Sequence, residues 1–163
     1  MRASIKPKGF LARLSRCTVK ALETFQQALP PGHPDIATSL NNLAGLYKAQ
    51  GRLGEAEPLY REAMEIRQQA LPPGHPDIAT SLSNLASLYQ AQGRLGEAEP
   101  LYRQALEIYQ KALPPGHPDI ATSLNNLARL YQAQGFLDKA EPLYRQALEI
   151  RQQALPPAIP ISQ

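Results

Sequence analysis

Three histidines, His33, His75 and His117, each stand two residues before an Asp and six before a Ser, within the identical stretch ALPPGHPDIATSL. Imidazole, carboxylate and hydroxyl are the groups of a hydrolytic triad, and repeated His with Asp is also a metal-ligand vocabulary. Zinc needs imidazole nitrogens about 2.0–2.1 Å from one ion. In a stack of repeats, equivalent atoms sit on the order of 10 Å apart, because each repeat adds a layer of packed helices. Three such histidines cannot converge, and His33 with Asp35 alone supplies too few ligands, so neither a metal nor a cofactor is expected. The triad fails on geometry as well. Asp35 and Ser39 fall one turn apart on a single helix, whereas a triad holds its base between acid and nucleophile beside an oxyanion hole. No Gly-rich segment supplies that hole. No catalytic residue, and no enzyme, is expected.

The elements that must carry these residues account for them better. Pro30-Pro31 stiffens the exit from one helix in an extended form, and Gly32 allows a turn. Pro34 suits the first position of the next helix, where its missing N–H costs nothing. Asp35 then lies in the first turn, favourable to the positive end of the helix dipole. His33 is left at the cap, as a side-chain partner for free backbone groups.

The organisation is a repeat. Residues 28–69, 70–111 and 112–153 are three copies of one 42-residue unit, and adjacent copies differ at seven positions. The frame extends backwards, since Gly9-Phe10-Leu11 aligns with Gly135-Phe136-Leu137. Self-similarity at this period means a solenoid, propeller or array. In the first copy Ile36, Leu40, Leu43, Ala44 and Tyr47 recur at steps of three or four, as do Ala56, Leu59, Tyr60, Ala63 and Met64. Both stripes are helical. Gly51 between them suits a left-handed helix end. The spacing predicts helices near 34–50 and 54–70, repeated every 42 residues, with an unpaired second-type helix near 12–28. Pro58, Pro100 and Pro142 conflict with the second helix: either it begins late or its first turn is distorted.

Composition bounds the function. The 163 residues, 43% hydrophobic, suffice for one domain with a core. The net charge of +3 belongs to the start of the chain, where residues 1–27 hold six basic residues and one acid, leaving 11 basic against 13 acidic residues elsewhere. Nucleic-acid binding along the body is therefore not expected. The basic start reads as a solvated tail over residues 1–11 rather than a targeting leader. No apolar run is long enough to span a bilayer, so no membrane partner is expected. A single cysteine, Cys17, excludes an internal disulfide and fits a reducing compartment, so the expected location is cytoplasmic. With no base beside it, Cys17 reads as an inert thiol.

The run LNNLAGLYKAQGRLGEAEPLYREAMEI, Leu40 to Ile66, closely resembles tetratricopeptide repeats in their longer kinesin light chain form. The match includes the small residues Ala44, Ala56 and Ala63 and the large residues Leu40, Leu43, Tyr47 and Tyr60. It implies an all-α, right-handed superhelical solenoid of antiparallel hairpins, whose first helices line a concave groove for extended peptides. Residues 12–155 would form that solenoid, with a half repeat at 12–27 and a tail at 156–163. Kinesin light chains also carry a long heptad region that joins the motor chain. Residues 1–27 show no sustained heptads, so motor attachment does not carry over.

The family's ligand-facing positions fall on Thr38, Asn41, Asn42, Gly45 and Lys48 in the first copy. They become Thr80, Ser83, Asn84, Ser87 and Gln90 in the second, and Thr122, Asn125, Asn126, Arg129 and Gln132 in the third. These residues avoid the apolar stripe of their helix. Asn42, Asn84 and Asn126 form a ladder of amides suited to a peptide main chain. Lys48 and Arg129 are the only charges on this face, which favours a polar or acidic extended segment and disfavours a carboxylate clamp. The expected function is a non-enzymatic protein-binding scaffold. A self-assembling structural solenoid, or a fragment of a larger repeat-containing signalling or adaptor protein, is the alternative, because Ala158-Ile159-Pro160 breaks the repeat and no polar capping helix follows.

Overall fold

The computed structural model describes the backbone of residues 8–154 and the side chains of residues 17–154. The basic side chains before Cys17 and the tail at 156–163 lie outside the described residues. Within them the chain forms seven helices and no strand: α1 (Lys8–Ala28), α2 (Pro34–Ala49), α3 (Leu53–Ala70), α4 (Pro76–Ala91), α5 (Leu95–Ala112), α6 (Pro118–Ala133) and α7 (Leu137–Ala154). The two predicted helices per copy are present. α1 begins at Lys8, earlier than the residue-12 start the apolar stripe suggested.

Local chemistry sets each boundary. Leu71 precedes Pro72, and a residue before proline is driven out of the helical region; its φ of −114° and ψ of 150° end α3 there. The His75 N–H then bonds back to the Pro72 carbonyl at 3.1 Å across a turn whose third residue, Gly74, has φ 86°. That is a turn a Gly with positive φ permits. At the other end of the hairpin, the Arg52 N–H reaches the Tyr47 carbonyl at 2.9 Å and the Gly51 N–H reaches Lys48 at 3.0 Å. These paired bonds, around Gly51 at φ 78°, are the Schellman closure of α2.

The internal prolines do not delay the second helices. α3 runs from Leu53 with Pro58 inside it, and α5 and α7 do the same with Pro100 and Pro142. Pro58 is exposed and leaves the Gly54 carbonyl without its helical donor. Gly54 is itself exposed, at the solvent side of the helix.

Each first helix packs on the second helix of its own copy, and each second helix on the first helix of the next. Ala44, Ala56, Ala63, Ala98 and Ala105 have no exposed surface, which lets the helix axes approach closely. Leu40, Leu82 and Leu124 are each 1% exposed, and truncating one to Ala would cost about 2–5 kcal/mol. Tyr60, Tyr89, Tyr102 and Tyr131 are core as expected, while Tyr47 and Tyr144 are only partly covered. Cys17 is exposed and unbridged. Among the described residues, no helix is long and apolar enough to cross a membrane.

Curvature follows from which helices meet. α2 touches α4 and α4 touches α6, whereas α3, α5 and α7 do not touch one another. The first helices therefore lie on the inner side of the bend.

Candidate peptide-binding groove

The His-Asp-Ser stretch is occupied with helix starts. The His33 Nδ1 accepts the Asp35 backbone N–H at 3.2 Å, and His75 and His117 do the same for Asp77 and Asp119 at 3.1 and 3.2 Å. Each imidazole thus satisfies one of the free donors of its helix. Ser39, Ser81 and Ser123 are buried at 8%, 0% and 1% exposure on the faces packed between repeats.

The inner helices present the expected groove residues unevenly. Asn42 is exposed, Asn84 and Asn126 are half-buried, and none of the three has a hydrogen-bond partner among the described residues. Asn125 is half-buried and Arg129 exposed. The threonines turn their hydroxyls back to their own helix: Thr38 to the Pro34 carbonyl at 3.3 Å, Thr80 to Pro76 at 3.2 Å and Thr122 to Pro118 at 3.0 Å. Gln90 accepts from the Tyr102 hydroxyl at 3.3 Å and Gln132 from Tyr144 at 2.9 Å, tying each first helix to its partner. Asn41 is 8% exposed and donates across the α2–α4 contact to the Ser81 hydroxyl at 3.3 Å. It belongs to the joint between repeats more than to the open face.

Lys48 also bridges repeats, its ammonium donating to the Ser87 hydroxyl. Burial pushes its pKa down, and the like charge of Arg129 adds to the effect. The two cations therefore make one mildly positive end of the inner face. The opposite end, at the helix starts, carries Asp77 and Asp119, whose charges both hold the Tyr109 phenol up after the larger effect of its burial.

The two joints on this face are built differently. At the first, Arg67 of α3 is 6% exposed, and its guanidinium donates to the Asp77 carbonyl at 3.0 Å, the Ser81 hydroxyl at 3.1 Å and the Thr38 hydroxyl at 3.1 Å. With Asn41 it supplies both donors to Ser81, although the Asn41 Oδ1 and the Arg67 Nε themselves find no partner. At the second joint the counterparts are Tyr109 and Ser83. Tyr109 shares a 2.9 Å bond with Thr80, and neither the Ser83 nor the Ser123 hydroxyl finds a partner. An unsatisfied buried hydroxyl costs about 1–3 kcal/mol. A pocket of about 170 Å³ opens there, lined by Thr80, Ser83, Asn84, Tyr109, Asp119, Thr122, Ser123 and Asn126. Arg67 and Tyr109 are equivalent positions on α3 and α5, the second helices of their copies, and so fall outside the ligand-facing positions expected on the first helices. The available signal was that Asn41 and Arg67, Ser83 and Tyr109, and Asn125 and Arg151 change together from copy to copy.

Behind the groove a polar latch links the first two repeats. Arg94 donates to both Glu57 oxygens at 3.1 and 3.0 Å, pairs with Glu97 at 2.7 Å, and stacks 4.0 Å over the Tyr89 ring. In the third copy Phe136 replaces this arginine.

Known proteins share this repeat fold. Models of the tetratricopeptide repeat family match residues 36–77 and 77–153. Nephrocystin-3 of Xenopus laevis and of Mus musculus are each 44% identical over 58 residues, which is 36% of this chain and only 4% of theirs. The crystal structure of nearly identical TPR-like repeats from a Podosopora anserina kinesin light chain matches with a TM-score of 0.77 and 31% identity, covering 93% of this chain and 72% of that one. BtubC (BKLC) from P. vanneervenii matches with a TM-score of 0.79 and 26% identity, covering 95% of this chain and 63% of that one. With those models spanning residues 36–153, the chain belongs to the tetratricopeptide repeat family, whose fold generally mediates protein–protein interaction, and is similar in structure to kinesin light chain repeats.

Proposed function

We propose that the chain is a non-enzymatic scaffold that holds an extended, polar or acidic peptide segment against α2, α4 and α6. The observation that carries this reading is the row Asn42, Asn84 and Asn126, three amides on the inner helices that no side chain or backbone group among the described residues engages. Asn is intrinsically unfavourable inside helices, so its retention in every copy favours a use for the amide. Lys48 and Arg129 favour negative charge at one end of the segment. Replacing all three asparagines by Ala should abolish partner capture in a pull-down while leaving helical circular dichroism unchanged. Undiminished capture by the triple variant would refute the ladder.

A second reading, self-association, is favoured by Phe136, Leu137 and Leu148, which are 46%, 62% and 56% exposed at the last hairpin. Light scattering across a concentration series decides it: a strict monomer removes this reading.

A further inference from the structure

We propose that the pocket between the second and third repeats receives an arginine side chain of the bound partner, in the place that Arg67 and Asn41 fill at the joint before it. This rests on the groove reading and assigns one of its subsites.

The protein supplies its own template. At the first joint, Ser81 is wholly buried and its hydroxyl accepts from both the Arg67 guanidinium and the Asn41 amide. The equivalent hydroxyl at the second joint, Ser123, is 1% exposed and has no donor. Both donors have been exchanged together, Arg67 for Tyr109 and Asn41 for Ser83, and Ser83 adds a second unpartnered hydroxyl to the same pocket. The group that serves the equivalent hydroxyl at the first joint is a guanidinium, and it is the group exchanged away at the second.

Size and charge select the same occupant. The 170 Å³ pocket is smaller than the roughly 300–1,000 Å³ typical of small-molecule sites, so it suits one side-chain end. The residues replaced take a full positive charge out of the joint, while Asp119 remains on the pocket wall and its charge reaches Tyr109. By the pattern of Arg67, an incoming guanidinium would donate to the Ser123 hydroxyl and the Asp119 carbonyl. Asn84 and Asn126 also line the pocket, which places the mouth beside the amide row. A partner segment bonded to that row can therefore drop one side chain into it.

Two measurements test this. In the first, methylguanidinium is titrated into the protein and backbone amide shifts are followed by NMR. Saturable shifts at Ser83, Thr122 and Ser123 are expected, with at least tenfold weaker binding to the S83N/Y109R variant, which rebuilds the filled joint. The converse variant N41S/R67Y should gain a second site at Ser81. The absence of saturable shifts in the wild type, or equal binding by S83N/Y109R, overturns the proposal. In the second, random peptides are selected by display on the wild type and on S83N/Y109R. Selected peptides should carry Arg at one fixed position, a preference the variant loses. Peptides selected without Arg overturn this subsite and leave the groove reading standing. Selection of no peptide at all counts against the groove reading itself, and against the arginine with it.

Discussion

The Arg67 guanidinium lies 3.1 Å from the Ser81 hydroxyl, one of two donors that this hydroxyl has and its counterpart Ser123 lacks. Ser81 also accepts from Asn41, so losing either donor alone leaves the hydroxyl satisfied. Losing both leaves it bare, at a cost of about 1–3 kcal/mol. The N41S and R67Y substitutions should therefore be non-additive, with the double variant less stable than the sum of the singles by about 1 kcal/mol or more. The reverse pair, S83N/Y109R, should stabilise the chain by about 1–3 kcal/mol by giving Ser123 its donors. Urea midpoints for the wild type, singles and doubles measure this directly; strict additivity would mean that the two donors do not share Ser81.

The Glu57–Arg94 latch makes a pH prediction. Hydrogen bonding from Gln92, followed by the bonds and charge of Arg94 and Arg61, holds the Glu57 carboxyl below its ordinary value. A carboxylate whose pKa is lower folded than unfolded binds fewer protons when folded. Its contribution is therefore fully present above the unfolded glutamate value, about 4.3, and is lost as pH falls through the lower folded value. E57Q should cost about 1 kcal/mol at pH 7 and less below pH 4, so the wild-type and variant stability curves converge in acid. Parallel curves from pH 7 to 3 would remove Glu57 from the acid response.

Much of this was legible before any coordinates. The 42-residue period, the helical stripes, Gly51 and the His-Pro-Asp helix start each express local chemistry, and local chemistry survives folding. Asn42, Asn84 and Asn126 were legible too, because they stand off the apolar stripe. Asn41 was not. Like Asn42 it stands off the apolar stripe of α2, and only the approach of α4, where Ser81 takes its amide, decides that Asn41 is covered while Asn42 stays open. Arg67 was hidden for the same reason: a charged residue on a second helix reads as solvent-facing until the next repeat closes over it. Its partners Thr38 and Ser81 are 29 and 14 positions away, beyond the reach of any periodicity within one helix.

Pro58 gives the last prediction. Its side chain is exposed and makes no core contact to compensate for the donor it removes from the Gly54 carbonyl. A proline inside a helix costs about 3 kcal/mol, against which its stiffening of the unfolded chain returns about 0.4–1 kcal/mol. Solvation of the freed carbonyl at the exposed Gly54 offsets part of the remainder. P58A should therefore stabilise the chain by about 1–2 kcal/mol and extend regular hydrogen bonding through the first turns of α3. A thermal melt and amide exchange at residue 58 read both effects. A lower melting temperature in P58A would show that the proline, present at the same place in all three copies, holds α3 in a position that an unbroken helix does not reach.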